Sequence, residues 1–246
     1  LLGFLVFLPE MDRLFLLSPS HRRNFIDRFI FSKNKKYNTL INKYKKNISE
    51  RNKILVSKIY DEIWISKIEE QIGLLGLEIY KLRLLQVTYL QENIQKLNKA
   101  QTIPFLIDIK HIDNFYKENI GIDFYKTQLK QNREIDRIVG GSKFGPHKSD
   151  FMCYVNKNFP ASQLSTGQQK SLVLILILAQ CRHLINETNI RPIILMDEVC
   201  SHLDETNRSI LLKIIEDFNL QTFMTGTEKN LFSFLSTNTN YYNITV

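Results

Sequence analysis

The stretch Leu164-Ser165-Thr166-Gly167-Gln168-Gln169-Lys170, continued by the apolar run Leu172 to Ala179, decides how this chain is read. A polar turn passes directly into a helix, and Ser165 or Thr166 can cap it. Gly167 lets a phosphate come close to the backbone, and the free N–H groups and dipole of a helix start favour an anion. S-T-G-Q-Q would serve equally as an ordinary cap before a core helix, so the downstream residues decide between the two. They are Ile193-Ile194-Leu195-Met196-Asp197-Glu198 and then Ser201-His202-Leu203-Asp204. Pro192 to Met196 is a short continuous apolar run, as expected for a central strand buried on both faces. Asp197 and Glu198 stand at its C-terminal end, where open α/β sheets place their ligand sites. There Asp197 can hold Mg²⁺ through water, because that small, hard cation prefers oxygen ligands and keeps part of its hydration shell. Glu198 can orient and deprotonate an attacking water.

In this order and spacing the segments are similar to the signature helix, Walker B strand and D-loop of ABC-type ATPase heads. The Gly-rich phosphate loop of such a head, G-x-x-x-x-G-K-[ST], does not occur in the sequence. The nearest stretch is Gly140-Gly141-Ser142-Lys143-Phe144-Gly145-Pro146-His147-Lys148-Ser149. Its Gly140 and Gly145 have the right separation, but Pro146 replaces the Lys and removes a backbone N–H. The chain begins at Leu1 without the strands that precede the signature in such heads. The expectation is therefore an incomplete ABC-type head that has lost its N-terminal lobe.

A chain of 246 residues can bury a sizeable core in one large domain or two small ones. Cys153, Cys181 and Cys200 are too few and too scattered for a disulfide framework or a metal site, and read as small buried hydrophobes of a reduced, cytoplasmic protein. Leu1 to Leu8 is apolar but short and lacks a basic flank, so it does not read as a signal peptide, and no apolar run is long enough to span a membrane. The net charge of +8 favours attraction to phosphate polymers, although Lys, Asn and Ile are abundant throughout, and scattered lysines also make an ordinary solvated face.

The fold expected is α/β: a mostly parallel sheet with an inserted antiparallel helical arm. Leu5 to Leu8 reads as a strand and Ser18-Pro19-Ser20 as a helix start. Two long helices come next, the first with Ile41, Tyr44, Ile48, Leu55 and Ile59 at helical spacing. The second carries Ile65, Ile68, Ile72, Leu75, Ile79, Leu82 and Tyr89 as a coiled-coil-like seam, with Gln86 in one slot and Gly73 and Gly76 inside it. Beyond Asn98 the pattern predicts a strand over 105–109, a helix over 123–138 and a strand over 151–155. It then alternates: helix 167–186, strand 192–197, helix 205–217, strand 221–225, helix 228–236 and strand 241–246. Residues 1–32 read as a remnant of the first head lobe, 33–140 as the helical arm or second lobe, and 141–246 as the C-terminal head subdomain.

The residues also resemble one family, the RecF DNA replication and repair proteins. Pro9-Glu10 with Ser18-Pro19-Ser20-His21-Arg22-Arg23-Asn24-Phe25-Ile26-Asp27 looks like that family's P-E…P-S-x-R-R-x-F-[LI]-D motif. Gly145-Pro146-His147-Lys148-Ser149-Asp150 looks like its G-P-H-[RK]-x-D segment. LSTGQQK at 164–170, in place of LSGGQ, is the family's form of the signature, and Phe223-Met224-Thr225-Gly226-Thr227 fits the strand after which transporters carry a switch histidine. The resemblance implies a cytoplasmic DNA-binding ATPase that dimerises on ATP, acts at single-strand gaps and has RecO and RecR as partners. It implies that Asp197 is the Mg²⁺-linked acid and Glu198 the catalytic base. Ser165, with Thr166, Gly167 and Gln168, would meet the γ-phosphate held by the opposite subunit, and Asp204 would sit in the D-loop. ATP and Mg²⁺ would then bind only with the missing lobe or an intact partner.

For DNA the candidates are Arg22, Arg23, Lys143 and Lys148, since arginine can fork to phosphate and lysine supplies a point charge. Pairing of Arg22 or Arg23 with Asp27 or Glu10 is the competing structural role. His147, in a turn after Pro146, reads as a hydrogen-bonded loop residue rather than a metal ligand. An ABC transporter subunit would need a switch histidine near 225–227 and no helical arm, and meets neither condition. A non-enzymatic DNA- or partner-binding remnant of a repair ATPase is the alternative reading.

Overall fold

The computed structural model describes residues 3–57, 61–100, 103, 105–117, 120–202, 205–217, 219–235 and 239–244. Two compact units share the chain. One comprises residues 1–16, 90–108 and 154–246, the other 17–89 and 109–153.

The first unit is built on a three-stranded sheet in the order β1 (Phe4–Phe7), β5 (Ile193–Met196), β6 (Thr222–Met224). Both pairings are parallel, with Val6 opposite Leu195 and Leu195 opposite Phe223. Helix α6 (Thr166–Thr188) is apolar almost all round, and Leu172 to Ala179 are buried without exception. Helix α7 (Glu205–Asp217) lies between β5 and β6 in sequence, as a parallel crossover requires. The sheet's inner face carries Leu5, Phe7, Ile194 and Met196, all buried. Its other face carries Phe4, 50% exposed, and Phe223, 55% exposed, beside half-buried Ile193 and Leu195. The expected strand buried on both faces is therefore covered on one.

The second unit is helical. Helices α1 (Pro19–Lys33), α2 (Lys36–Ser57) and the part of α3 (Glu62–Lys99) up to residue 89 are joined by α4 (Ile122–Gln131) and α5 (Arg133–Val139). The seam read from sequence forms its core: Ile65, Ile68, Ile72 and Ile79 of α3 pack with Tyr44, Ile54 and Leu55 of α2 and with Tyr125 and Leu129 of α4. Antiparallel packing of α2 and α3 is fixed by two anchors. Arg51 meets Glu69 at 2.9 Å near one end, and near the other Tyr37 and Arg83 share the carboxylate of Asp27, at 2.7 and 2.8 Å. Ile59 lies outside the described residues.

Between the helices lies an ion cluster that hydrophobic periodicity does not reveal. Arg51, only 1% exposed, donates to Glu69 at 2.9 Å, to Asp136 at 2.8 Å and to the carbonyl of Leu129 at 2.7 Å. Arg133 reaches Glu69 at 2.7 Å and Glu62 at 2.7 Å. Buried charges persist only when paired and hydrogen-bonded in this way.

A second sheet runs in the order β2 (Ile107–Ile112), β3 (Asp150–Val155), β4 (Phe159–Pro160), with β3 and β4 antiparallel. Several predicted elements need correction. The strand expected at 105–109 starts and ends later. The single helix expected at 123–138 breaks at Asn132, which caps α4 and starts α5. The helix expected at 228–236 is one 3-10 turn, Lys229–Phe232. Residues 241–244 form no strand, against the expected 241–246; 245 and 246 are not described.

Candidate functional site

Ser165 rather than Thr166 caps α6. Its hydroxyl oxygen accepts from the Gln168 N–H at 3.3 Å, and the Gln168 side chain accepts from the Ser165 N–H at 3.1 Å, a reciprocal capping box. A helix start leaves four backbone donors without intrahelical partners. The box satisfies those of Ser165 and Gln168, which leaves the amides of Thr166 and Gly167 to an outside acceptor. Ser165, Thr166 and Gln168 are exposed and Gly167 is half-buried, so that acceptor has access.

Asp197 and Glu198 are both exposed at the C-terminal end of β5. The Asp197 N–H is held by the carbonyl of Phe7 at 3.0 Å, which fixes the strand end against β1. Glu198 has φ of 47°, a left-handed backbone that costs a residue with a side chain roughly 1–2 kcal/mol. Its N–H donates to the Thr225 hydroxyl oxygen at 3.1 Å, and the Thr225 hydroxyl donates to Asp197 Oδ1. Thr225 is fixed in turn by its own N–H on the carbonyl of Met196 at 2.9 Å.

Helix α6 and the strand end are joined by Lys170, 1% exposed. Its ammonium donates to the Glu198 carbonyl at 2.9 Å, lies 3.4 Å from Asp12 Oδ2 and stands over the Phe7 ring at 5.6 Å. Five residues, or about 7.5 Å of helical rise, separate Lys170 from the cap at Ser165. The capped helix end and the acidic strand end thus belong to one unit and are directly linked. Neither Lys170 nor Thr225 stands out in sequence as a contact to the acids. Lys170 sits in LSTGQQK and Thr225 in the terminal strand motif, but a bond to a backbone group of Glu198 has no sequence signal. Beyond the acids, Val199 and Cys200 turn inward, and burial raises the Cys200 thiol above its usual pKa. Asp204 lies outside the described residues.

The residues fit a nucleotide and its cation. Two free helix-start amides suit phosphate oxygens. Among the described residues no three His, Cys, Asp or Glu side chains converge as a protein metal cage. A cation at Asp197 would draw its remaining ligands from water and phosphate, as Mg²⁺ does.

The basic candidates lie in the helical unit. Arg22 is 8% exposed and forks onto Asp150, Nε to Oδ1 at 2.8 Å and Nη2 to Oδ2 at 2.7 Å. The partner expected from sequence was Asp27 or Glu10; Asp27 is instead taken by Arg83 and Tyr37. Arg23 is half-buried and donates to the Ser149 carbonyl at 2.7 Å, and burial together with nearby Arg83 lowers its pKa. Lys143 and Lys148 are exposed. The segment 145–150 is a clasp. Gly145 has φ of 123°, and an added Cβ would lie 2.4 Å from the Tyr44 hydroxyl, so only glycine fits. His147 is hydrogen-bonded at both nitrogens, Nδ1 with the Tyr44 hydroxyl at 2.8 Å and Nε2 with the Ser142 carbonyl at 3.0 Å. Burial pushes its pKa down to about 4.

The family described as the RecF/RecN/SMC N-terminal domain matches residues 15–245. The DNA replication and repair protein RecF of Rickettsia felis is 36% identical over 226 residues, covering 89% of this chain and 61% of the relative. That of Rickettsia massiliae is 36% identical over 225 residues, covering 89% and 62%. This chain thus spans less than two thirds of the relatives it matches. A solved structure of the recombination mediator protein RecF with ATP has a TM-score of 0.76 at 25% identity, covering 93% of this chain and 63% of that one. The corresponding RecF-ATPrS structure gives 0.76 at 23%, with the same coverage. Among the described residues no helix is long and apolar enough to cross a membrane. The chain belongs to the RecF/RecN/SMC family and, within it, to the RecF proteins.

Proposed function

We propose that this chain supplies the signature, Walker B and D-loop parts of a DNA repair and replication ATPase. It would work in the cytoplasm at single-strand gaps, with RecO- and RecR-type partners. The observation that carries the reading is the link between the capped start of α6 and the acids ending β5, made through Lys170 and the Glu198 carbonyl at 2.9 Å. Thr166 and Gly167 offer amides to the γ-phosphate of a nucleotide bound mainly by an opposing subunit, with Ser165 and Gln168 holding the turn. Asp197 binds the cation through its carboxylate and Glu198 takes the proton of the attacking water. Asp204 contributes to the D-loop. ATP bound with Mg²⁺ supplies the phosphoryl group that is transferred to water.

The phosphate-cradling loop, on this reading, comes from residues outside this sequence. Two observations support it: the motif is missing from the 246 residues, and among the described residues Phe4 and Phe223 on the outer sheet face are half exposed, whereas parallel sheets are normally covered on both faces. On this reading residues 1–32 and 141–246 are assigned to the nucleotide head and 33–140 to the second lobe, although 17–32 and 141–153 pack within the helical unit and 90–108 within the sheet unit. Lys143 and Lys148 bring phosphate contacts for DNA, joined by Arg23, while Arg22 holds the fold through Asp150.

The test is Glu198→Gln in the complete protein that carries this chain. Turnover of ATP is expected to fall at least a hundredfold while ATP affinity stays within about threefold, the pattern of a group acting in the transition state. Undiminished turnover would remove Glu198 as the base. The non-enzymatic alternative gains only if the complete protein neither binds nor hydrolyses ATP.

A further inference from the structure

Glu198 has φ of 47°, a left-handed backbone conformation that a residue with a side chain adopts when its surroundings impose it. Both backbone polar groups of this residue are held from outside the strand. The N–H donates to the Thr225 hydroxyl oxygen at 3.1 Å, and the carbonyl accepts from the Lys170 ammonium at 2.9 Å. Neither clamp is itself loose. Thr225 is pinned by its N–H on the Met196 carbonyl at 2.9 Å and by its hydroxyl on Asp197. Lys170 is buried, 3.4 Å from Asp12 and over the ring of Phe7.

We infer that Lys170 and Thr225 are positioning residues that lock the Glu198 peptide in its left-handed turn and so aim the base. The inference rests on the proposed role of Glu198 as that base. A buried ammonium is an expensive way to satisfy one carbonyl, since burial disfavours its charge unless strong acceptors surround it. Here the acceptors are the peptide oxygen of the base and an acid on the segment after β1, so one cation ties three elements at the strand end. Because Lys170 lies on the helix capped by Ser165, a displacement of that helix end by phosphate is carried to the Glu198 peptide. Thr225, directly after β6, holds the same peptide from the other side, with its hydroxyl bridging the cation-binding acid and the base.

Three variants of the complete protein, Lys170→Met, Thr225→Val and Thr225→Ser, test this with two readouts. The first is the backbone conformation of Glu198 without nucleotide, from chemical shifts after selective labelling of glutamate. Lys170→Met and Thr225→Val are expected to move φ out of the left-handed range, and Thr225→Ser to keep it there. The second is steady-state ATP hydrolysis. The first two are expected to lower kcat about tenfold or more with KM within about threefold, and Thr225→Ser to restore most of what Thr225→Val loses. A purely structural role would move melting temperature and KM but leave the φ of the folded molecules unchanged. The inference is overturned if φ stays positive in both disruptive variants. It is equally overturned if their kcat stays within twofold of wild type while Glu198→Gln abolishes turnover. Should Glu198→Gln retain full activity, the assignment of the base fails, and the chemical shifts still decide the clamp. If Lys170→Met does not fold, the pair at exposed Thr225 decides by the same readouts.

Discussion

His147 is legible in sequence as a loop residue, and the structure adds what its neutrality does. With Nε2 donating to the Ser142 carbonyl, the uncharged ring leaves Nδ1 to accept from the Tyr44 hydroxyl. Burial holds its pKa at about 4, below the ordinary value of about 6.5 in the unfolded chain. Between those two values the unfolded state binds the extra proton. This contribution to stability is therefore intact above pH 6.5 and lost as pH falls toward 4. The loss should be on the order of 2 kcal/mol, reduced because the side chain is not wholly enclosed. Urea unfolding of wild type and His147→Gln at pH 7.5, 6 and 4.5 checks it: the variant should show the flatter pH dependence, and parallel curves would refute the assignment. Other side chains were less legible. The partner of Arg22 is Asp150, far along the chain, and a fork between such distant residues leaves no local pattern. Thr225 gave no signal because its role is to hold a neighbour's backbone.

Among the elements, α3 shows how far periodicity reaches. Its isoleucine seam predicted the buried face, and the glycines inside that seam have a reason in α4. A Cβ on Gly76 would lie 2.8 Å from the Tyr125 hydroxyl and 3.1 Å from the ring carbon bearing it, whereas one on Gly73 would meet the terminal methyl of Ile122 at 2.5 Å. Alanine gains about 1 kcal/mol in helix propensity, against an overpacking cost of about 1–3 kcal/mol. The rigid, buried ring cannot yield, so Gly76→Ala should destabilise by about 1–2 kcal/mol. The flexible end of Ile122 can, so Gly73→Ala should lie within about 1 kcal/mol of wild type. Chemical denaturation of both variants measures the difference, and equal effects would count against the ring as the cause. Elsewhere the hydrophobic pattern misled. It joined α4 to α5 because the break at Asn132 leaves the apolar spacing nearly in phase, and it gave a strand at 241–246, whose described residues 241–244 form none. The cluster of Arg51, Glu69, Asp136 and Arg133 was invisible for the opposite reason, since charged residues on a helix normally read as its wet face.

Over the whole molecule, the order of the motifs was legible because each must sit at a particular strand or helix end, and local sequence encodes such ends. The clamp on Glu198 and the burial of Arg22 were not, because both depend on contacts between distant segments. The net charge of +8 favours attraction to phosphate polymers, and the proposed DNA contacts can be tested on two lysines. If exposed Lys143 and Lys148 each neutralise one phosphate, replacing both by alanine should lower the slope of log K against log salt by about 1.4–1.8. An unchanged slope in a salt titration would exclude them, and Arg22→Ala should act through folding rather than through that slope. The central claim, that one nucleotide lies between the capped start of α6 and the acids of an opposing copy, is tested most directly by a structure of the complete protein with Mg²⁺ and a non-hydrolysable ATP analogue. The account predicts γ-phosphate oxygens within hydrogen-bond distance of the Thr166 and Gly167 amides, on a nucleotide whose cation is held through Asp197 of the other subunit. A nucleotide bound away from both clusters, or one that leaves those two amides facing water, would contradict it.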